Sequence, residues 1–316
     1  MEIMTGAPLP AGANCVVMLE HAEREGDTVV APSGRSIHAG ANIVPRAAEA
    51  GAGDVILKTG TRISALHIAA AAACGAVGAT VFSAPRVAIL PTGDELVDSG
   101  TRPLPYQIHN SNSYSLAAQV LVTGADPIQF PIVRDDRGQL EEAIRGALDA
   151  DLLLLSGGVS AGKYDLVEEV LSNMGSEFFF TGALIQPGKP VVFGKVPSPR
   201  GGMYFFGLPG NPVSTMVTFS LFVEPLLCAL AGQLSMRPRF AQAKLTTVFQ
   251  GASGLTRFLP AVLGTNPQES IEPFVSTIAW RGSGDLAGTS LANCFLVVPA
   301  NRASLDAGEI VSVLLP

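Results

Sequence analysis

Two glycine-rich turns and a set of acidic side chains carry the residue types that could do chemistry in this chain. The first turn follows the apolar run Leu152-Leu153-Leu154-Leu155 and reads Ser156-Gly157-Gly158-Val159-Ser160-Ala161-Gly162-Lys163-Tyr164-Asp165; the second reads Gly207-Leu208-Pro209-Gly210-Asn211-Pro212-Val213-Ser214. Glycine lets a backbone turn tightly and approach a ligand closely, and a helix starting in such a turn points its free N–H groups at whatever occupies it. An anion is the natural guest. The first turn has neither the Lys-Ser/Thr ending of a P-loop nor dinucleotide-binding spacing, so by itself it points to an anion and no further. Glu95, Asp135 and Asp165 each follow a strand-like run. Hard carboxylate oxygens beside anion loops are what a site handling a divalent cation and a phosphate together requires.

Those residues need a scaffold that brings strand ends together. From Arg86 onward, strand-like runs at 87–90, 127–133, 152–156, 190–193 and 203–206 are separated by helical segments at 111–123, 140–148 and 163–174, and a long helix opened by Pro212 covers 212–231. Strands and helices alternating at this length predict a three-layer α/β domain with a parallel or mostly parallel sheet over residues 85–236, its ligand at the carboxyl ends of the strands. The loops after 87–90, 131–133, 152–156 and 203–206 then converge on one rim. After Pro238 the pattern changes to short strand candidates at 243–249, 257–263, 271–276, 294–299 and 310–315, which predict a small C-terminal β-barrel or sandwich over 237–316. Arg281-Gly282-Ser283-Gly284 interrupts it as a polar loop able to reach back to the α/β site. Residues 1–60, with strand-like runs at 15–19, 28–31 and 54–57, predict a partial β-rich domain, and 61–84 a connecting helix, at 63–74, and a linker.

Composition narrows the partners. With 47% hydrophobic and 15% charged residues the chain is a folded, loop-punctuated protein and not a disordered one. A net charge of −7 without a Lys/Arg stripe argues against a nucleic-acid footprint. The 4 cysteines are scattered and form no metal-ligand spacing, as expected in a reducing cytosol. There is no signal-peptide pattern and no apolar run of about eighteen residues. The most apolar stretch, 63–74, is too short to span a bilayer, so a soluble cytoplasmic protein with no membrane partner is expected.

Plainer roles compete for several of these residues. Asp135, Asp136 or Ser156 can serve as helix caps. His21, His38, His67 and His109 lack nucleophile or metal spacing and read as solvated or satisfied, while Trp280 and Phe178-Phe179-Phe180 read as packing.

Taken in order, Met4-Thr5-Gly6-Ala7-Pro8, Thr92-Gly93-Asp94-Glu95-Leu96, Arg134-Asp135-Asp136, the Ser156 to Asp165 turn, Pro187-Gly188-Lys189-Pro190, the Gly207 to Ser214 turn and Ser290-Leu291-Ala292-Asn293-Cys294-Phe295 resemble the molybdopterin molybdenumtransferase family, the bacterial MoeA proteins and the gephyrin E domain. The resemblance covers essentially the whole chain. It implies that 85–236 is a molybdopterin-binding domain and that the protein inserts molybdate into adenylylated molybdopterin, releasing AMP with Mg2+ present. It also implies a homodimer whose site lies between the α/β domain of one subunit and the Thr5-containing domain of the other, with molybdopterin adenylyltransferase as the upstream partner. On this basis Asp165, Asp135, Glu95, Thr5 and Ser283 are the candidate catalytic residues, and Glu95, Asp135 and Asp165 the candidate metal ligands. Gly157, Gly158, Ser160, Gly162, Lys189, Pro209, Gly210, Asn211, Pro212 and Ser214 would cradle pterin and phosphate. Molybdate and tungstate, tetrahedral dianions of nearly one size, are not distinguished.

The chain departs from the family pattern in places. It begins just before the Thr5 motif, which leads to the expectation of a piece of a longer protein with low activity and an incomplete dimer interface. Arg46-Ala47-Ala48-Glu49 replaces an Arg-Gly-Glu-Asp stretch, Gly182 and Gln186 stand where lysines occur, and Pro260 stands where many members have Arg. Fewer cations weaken a site for a dianion, with Lys189, Lys195, Arg46 and Arg281 as partial compensation. The competing reading is a catalytically weakened paralogue that binds molybdopterin or a related nucleotide as a scaffold or carrier.

Overall fold

A fully apolar strand is stable only where both of its faces are covered, and the architecture supplies that cover in one part of the chain and not in another. The computed structural model describes residues 1–30, 36–157, 166–266 and 270–316. It divides into two compact units, residues 1–58 with 63–77, and 59–62 with 78–316.

In the first unit, β1 (Glu23–Glu25) and β2 (Thr28–Val30) form an antiparallel hairpin with Glu23 opposite Val30. Helix α1 (Ala65–Ala73) starts at Ser64 in a capping box, the Ser64 N–H donating to His67 Nδ1 at 3.0 Å. No residue of α1 is buried. The strands expected at 15–19 and 54–57 do not form; the first run ends in a 3-10 turn at Leu19–His21. Neither run has a neighbouring strand or a buried face, and strand propensity without packing does not hold a strand.

In the second unit the predicted alternation appears. Its elements are β3 (Arg86–Pro91), α2 (Asn112–Thr123), β4 (Asp126–Gln129), α3 (Arg137–Gly146), β5 (Leu152–Ser156) and α4 (Leu166–Asn173). There follow β6 (Glu177–Phe180), β7 (Ile185–Gln186), β8 (Val192–Val196), β9 (Met203–Leu208) and the long helix α5 (Pro212–Leu230). The sheet order is β4-β3-β5-β9-β8-β6. The first four strands are parallel; at one edge β8 runs antiparallel to β9, and β6, antiparallel to β8, runs in the direction of the first four.

Side-chain alternation assigns the two faces. Ala88, Leu90, Leu153 and Leu155 pack with Leu140, Ile144, Val167 and Leu171 of α3 and α4. Val87, Ile89, Leu152 and Leu154 pack with Leu116 and Val120 of α2 and Phe219, Val223 and Leu227 of α5. The expected single helix from Pro212 is continuous but contains a π-helical turn, Phe219–Val223, just before Pro225; proline offers no N–H to the ladder, and the widened turn absorbs the defect. By length and composition α5 could cross a bilayer, so 63–74 is not the most membrane-like stretch, but half of its most apolar 18-residue window is buried inside the protein, as in a core helix.

The C-terminal strands β10 (Phe240–Leu245), β11 (Thr256–Asn266), β12 (Ser270–Thr277), β13 (Cys294–Val298) and β14 (Ile310–Leu314) close into a barrel in the order β12-β10-β14-β13-β11, with β11 pairing back to β12. Helix α6 (Leu286–Thr289) sits between β12 and β13. The barrel is filled by Ala243, Leu245, Ala261, Val275, Leu296 and Val313. It is joined to the α/β layers by β7, which adds in parallel to β11, and by a cluster of Ile185, Val213, Val217, Phe258 and Phe295. That seam sets the barrel loops beside the carboxyl ends of the parallel strands.

Candidate functional site

The rim forms because parallel strands in register end together. Pro91 and Leu208 both pair with Ser156, so β3, β5 and β9 stop at one level. Their loops are then tied: the Thr92 N–H donates to Ser156 O at 3.0 Å, Gly157 N–H to Leu208 O at 3.3 Å and Gly93 N–H to Val133 O at 3.1 Å. Gly157 has φ +96°, and a Cβ there would press into the Thr92 carbonyl oxygen, so glycine is required by both conformation and space.

Over this rim lies a cleft of about 1010 Å³ whose walls include Thr92, Glu95, Asn112, Ser156, Gly157, Lys189, Pro209, Gly210, Asn211, Pro212, Ser214, Trp280 and Ser283. Thus Glu95, Gly157, Lys189, the Pro209 to Ser214 turn and Ser283 come together as the sequence predicts. The barrel loop does reach back: the Asn211 carboxamide donates to Ser283 Oγ at 2.9 Å, and the Val213 N–H to Ser283 O at 3.1 Å. Asp285 shapes this loop by accepting from the Arg281 N–H at 3.1 Å and the Gly288 N–H at 2.9 Å. The bonds from Gly288 and then Arg281 hold its carboxyl below the usual carboxylate range.

The acidic residues separate by role. Asp136 is the cap of α3, accepting from the Gln139 N–H at 2.9 Å. Asp135 is not a cap; it accepts from Thr92 Oγ1 at 3.3 Å and so sits at the edge of the rim, without forming part of the cleft wall. Glu95 folds its carboxylate over Gly93, where a Cβ would collide with it. Asp165, Gly158, Ser160 and Gly162 lie outside the described residues. Among the described residues no group of at least 3 His, Cys, Asp or Glu side chains is placed to hold a metal ion. Thr5 and Arg46 belong to the first compact unit.

Lys189 is the one Lys or Arg among the described cleft residues, and Gln186 is also in the wall. Lys195 does not compensate: its ammonium lies 5.5 Å from the centre of the Tyr204 ring, on strands away from the rim. Arg281 also lies outside the cleft wall. Pro260 is inside β11, opposite Phe295.

Among the cleft residues that the sequence reading did not place in the site are Asn112 and Trp280. Asn112, in the first turn of α2, donates through its carboxamide to Ser156 Oγ at 2.9 Å and to Gly210 O at 2.8 Å, lacing three rim segments together. Because a carbonyl oxygen only accepts, the bond to Gly210 fixes which way the amide faces. Its signal was the Asn110-Ser111-Asn112-Ser113 cluster at a helix start. Trp280 had no local signal and read as packing. Its indole does pack on the barrel seam, and it also lines the cleft. The Phe178 to Phe180 run is packing as expected, with Phe178 edge-on to Phe205 at 5.5 Å and Phe180 against Phe193 at 5.6 Å.

The chain matches the family models "MoeA N-terminal region (domain I and II)" over residues 1–75, "Probable molybdopterin binding domain" over 88–229 and "MoeA C-terminal region (domain IV)" over 242–315. It is 34% identical over 315 residues to a molybdopterin molybdenumtransferase of Nostoc sp., covering 99% of this chain and 71% of that one. A protein of the same name from Haemophilus influenzae is 32% identical over 315 residues, covering 99% of this chain and 76% of that one. Among solved structures, a molybdopterin biosynthesis MoeA protein of Pyrococcus horikoshii superposes with a TM-score of 0.74 and 29% identity, covering 97% of this chain and 73% of that one.

Proposed function

The chain belongs to the MoeA family, the molybdopterin molybdenumtransferases of molybdenum cofactor biosynthesis, and we propose that its cleft takes adenylylated molybdopterin and molybdate, places the oxyanion at the dithiolene and releases AMP. The carrying observation is the one rim that unites the Gly157 turn, the Pro209 to Ser214 turn, Glu95, Lys189 and the barrel residue Ser283. The N-terminal end of α5, which brings Ser214 to the cleft wall, offers the partial positive charge of a helix start to phosphate oxygens. Lys189 supplies positive charge to an anion, and Ser283, held by Asn211, presents a hydroxyl at the same wall. The names of the relatives favour the enzyme over a scaffold or carrier.

Glu95 and Asp135 offer the hard oxygen donors that suit Mg2+, with Thr92, Gly93 and Asp94 as the short link between the strand end and Glu95. Mg2+ bound there would offset charge on the phosphate anhydride. Without a cation the two carboxylates would repel a phosphate anhydride and a molybdate dianion, so in this reading their role is to hold Mg2+. We further propose a soluble, cytoplasmic homodimer that receives its substrate from an adenylyltransferase.

The test is molybdate-dependent AMP release from adenylylated molybdopterin. The expected result is release that requires Mg2+ and falls by about tenfold or more in Glu95→Gln, which keeps the shape of the side chain and removes its charge. Normal pterin binding with no AMP released would overturn the transferase reading for this chain. An unchanged rate in the variant would remove Glu95 from the site.

A further inference from the structure

The cleft lining combines polar side chains, Thr92, Asn112, Ser156, Asn211 and Ser214, with apolar ones, Ile185, Pro187, Leu255, Trp280 and Leu286. A lining of both kinds suits a ligand with a flat apolar body and a charged end.

Trp280 is the largest of the apolar lining residues, and its backbone is held on both sides. The Ile278 N–H donates to Pro260 O at 3.4 Å, and the Arg281 N–H to Asp285 Oδ2 at 3.1 Å. The indole packs with Val213, Val217, Phe258 and Phe295 while also lining the cleft. Its Nε1 is enclosed and has no hydrogen-bond partner. An enclosed, unpartnered donor lowers stability, so packing alone would be served better by phenylalanine or leucine. A fused aromatic ring at the cleft wall is a surface on which another flat ring stacks.

We propose that Trp280 is a specificity-determining residue, the platform for the flat heteroaromatic ring of the ligand, with the phosphate directed to the polar lining residues. The proposal rests on the reading of the cleft as the site for adenylylated molybdopterin. That ligand carries two such rings, the pterin and the adenine, and both share the chemistry required.

Trp280 is the only tryptophan, 1 in 316 residues, so its emission reports on this wall alone. The experiment titrates the protein with AMP, neopterin monophosphate and ribose 5-phosphate, by fluorescence and by calorimetry. Saturable quenching by ring-bearing probes and none by ribose 5-phosphate is expected. Calorimetry of Trp280→Leu should show ring-bearing probes weakened by about tenfold or more and ribose 5-phosphate changed by less than about twofold. Trp280→Phe, which keeps a ring and removes the unpartnered N–H, should retain most of the affinity. Selective weakening of AMP assigns the platform to adenine, and selective weakening of neopterin monophosphate assigns it to the pterin. Ring-bearing probes that bind the leucine variant as well as the parent protein overturn the proposal and leave the cleft reading standing. Equal weakening of all the probes makes the tryptophan a structural residue and overturns the proposal as well. If no probe binds the parent protein, the cleft reading itself falls and takes the platform with it.

Discussion

Residues 152–155 and helix α1 are both nearly unbroken apolar runs, and they end in opposite environments. Each leucine of the strand is 0% exposed, whereas Leu66 and Ile68 of the helix are 81% and 62% exposed. The strand is covered by α3 and α4 on one face and by α2 and α5 on the other. The first compact unit has no such layers, and none of its described residues is buried. An apolar run is therefore a demand for cover, and composition does not say what meets it. In the second unit the same chain meets the demand. A second copy would meet it for α1, in keeping with the proposed homodimer.

The largest effect that could break this contrast is in the strand. Leu154→Ala should lower stability by about 2–5 kcal/mol in a urea titration followed by circular dichroism. Leu66→Ala should change it by about 0.5 kcal/mol or less in dilute protein. If α1 is covered by a second copy, the Leu66 variant will weaken self-association in sedimentation at rising concentration. No change there would remove α1 from any interface.

Thiol reactivity sharpens the contrast at the level of single side chains. Burial pushes the Cys294 thiol up to about 11, and burial followed by the Glu224 charge raises Cys228. Cys74 is exposed. At pH 8, iodoacetamide should modify Cys74 about 100-fold faster than Cys294, read by mass spectrometry of digests, with Cys294 reacting only on unfolding. Comparable rates would show that the barrel interior opens readily.

The smallest effect concerns the loop that carries Trp280 and Ser283. The Asp285 carboxyl lies below its ordinary value of 3.8, so its contribution is fully present above that value and is lost as pH falls through the depressed one. Trp280 emission should stay constant from pH 7 to about 5 and shift to the red only in more acidic solution, and Asp285→Asn should lose that acid step. A shift centred near neutral pH would sink the assignment.

The parallel sheet, the barrel and the converging rim were legible because apolar period and glycine placement are local properties. Leu152 to Leu155 needs two covered faces, and the glycines after it need a turn. The run at 15–19 failed as a strand because its apolar residues found no partner, which is not a local property. Asp135 and Asp136 stand side by side with equal claims to a cap, and only the N–H of Gln139 decided between them.

By itself, the chain's order of residues determined the alternation of strands and helices in the second unit, though not the strands at Glu177–Phe180 and Ile185–Gln186, and which carboxylates and glycines the loops after its strands carry. Tertiary structure alone decided that Asn112 laces Ser156 to Gly210, that Asn211 is the partner Ser283 meets when its loop reaches back, and that Trp280 lines the cleft. The reason is separation along the chain. These contacts join residues 44 to 98 positions apart, and no local pattern encodes a meeting that exists only after the sheet has set its register and the barrel has closed against it.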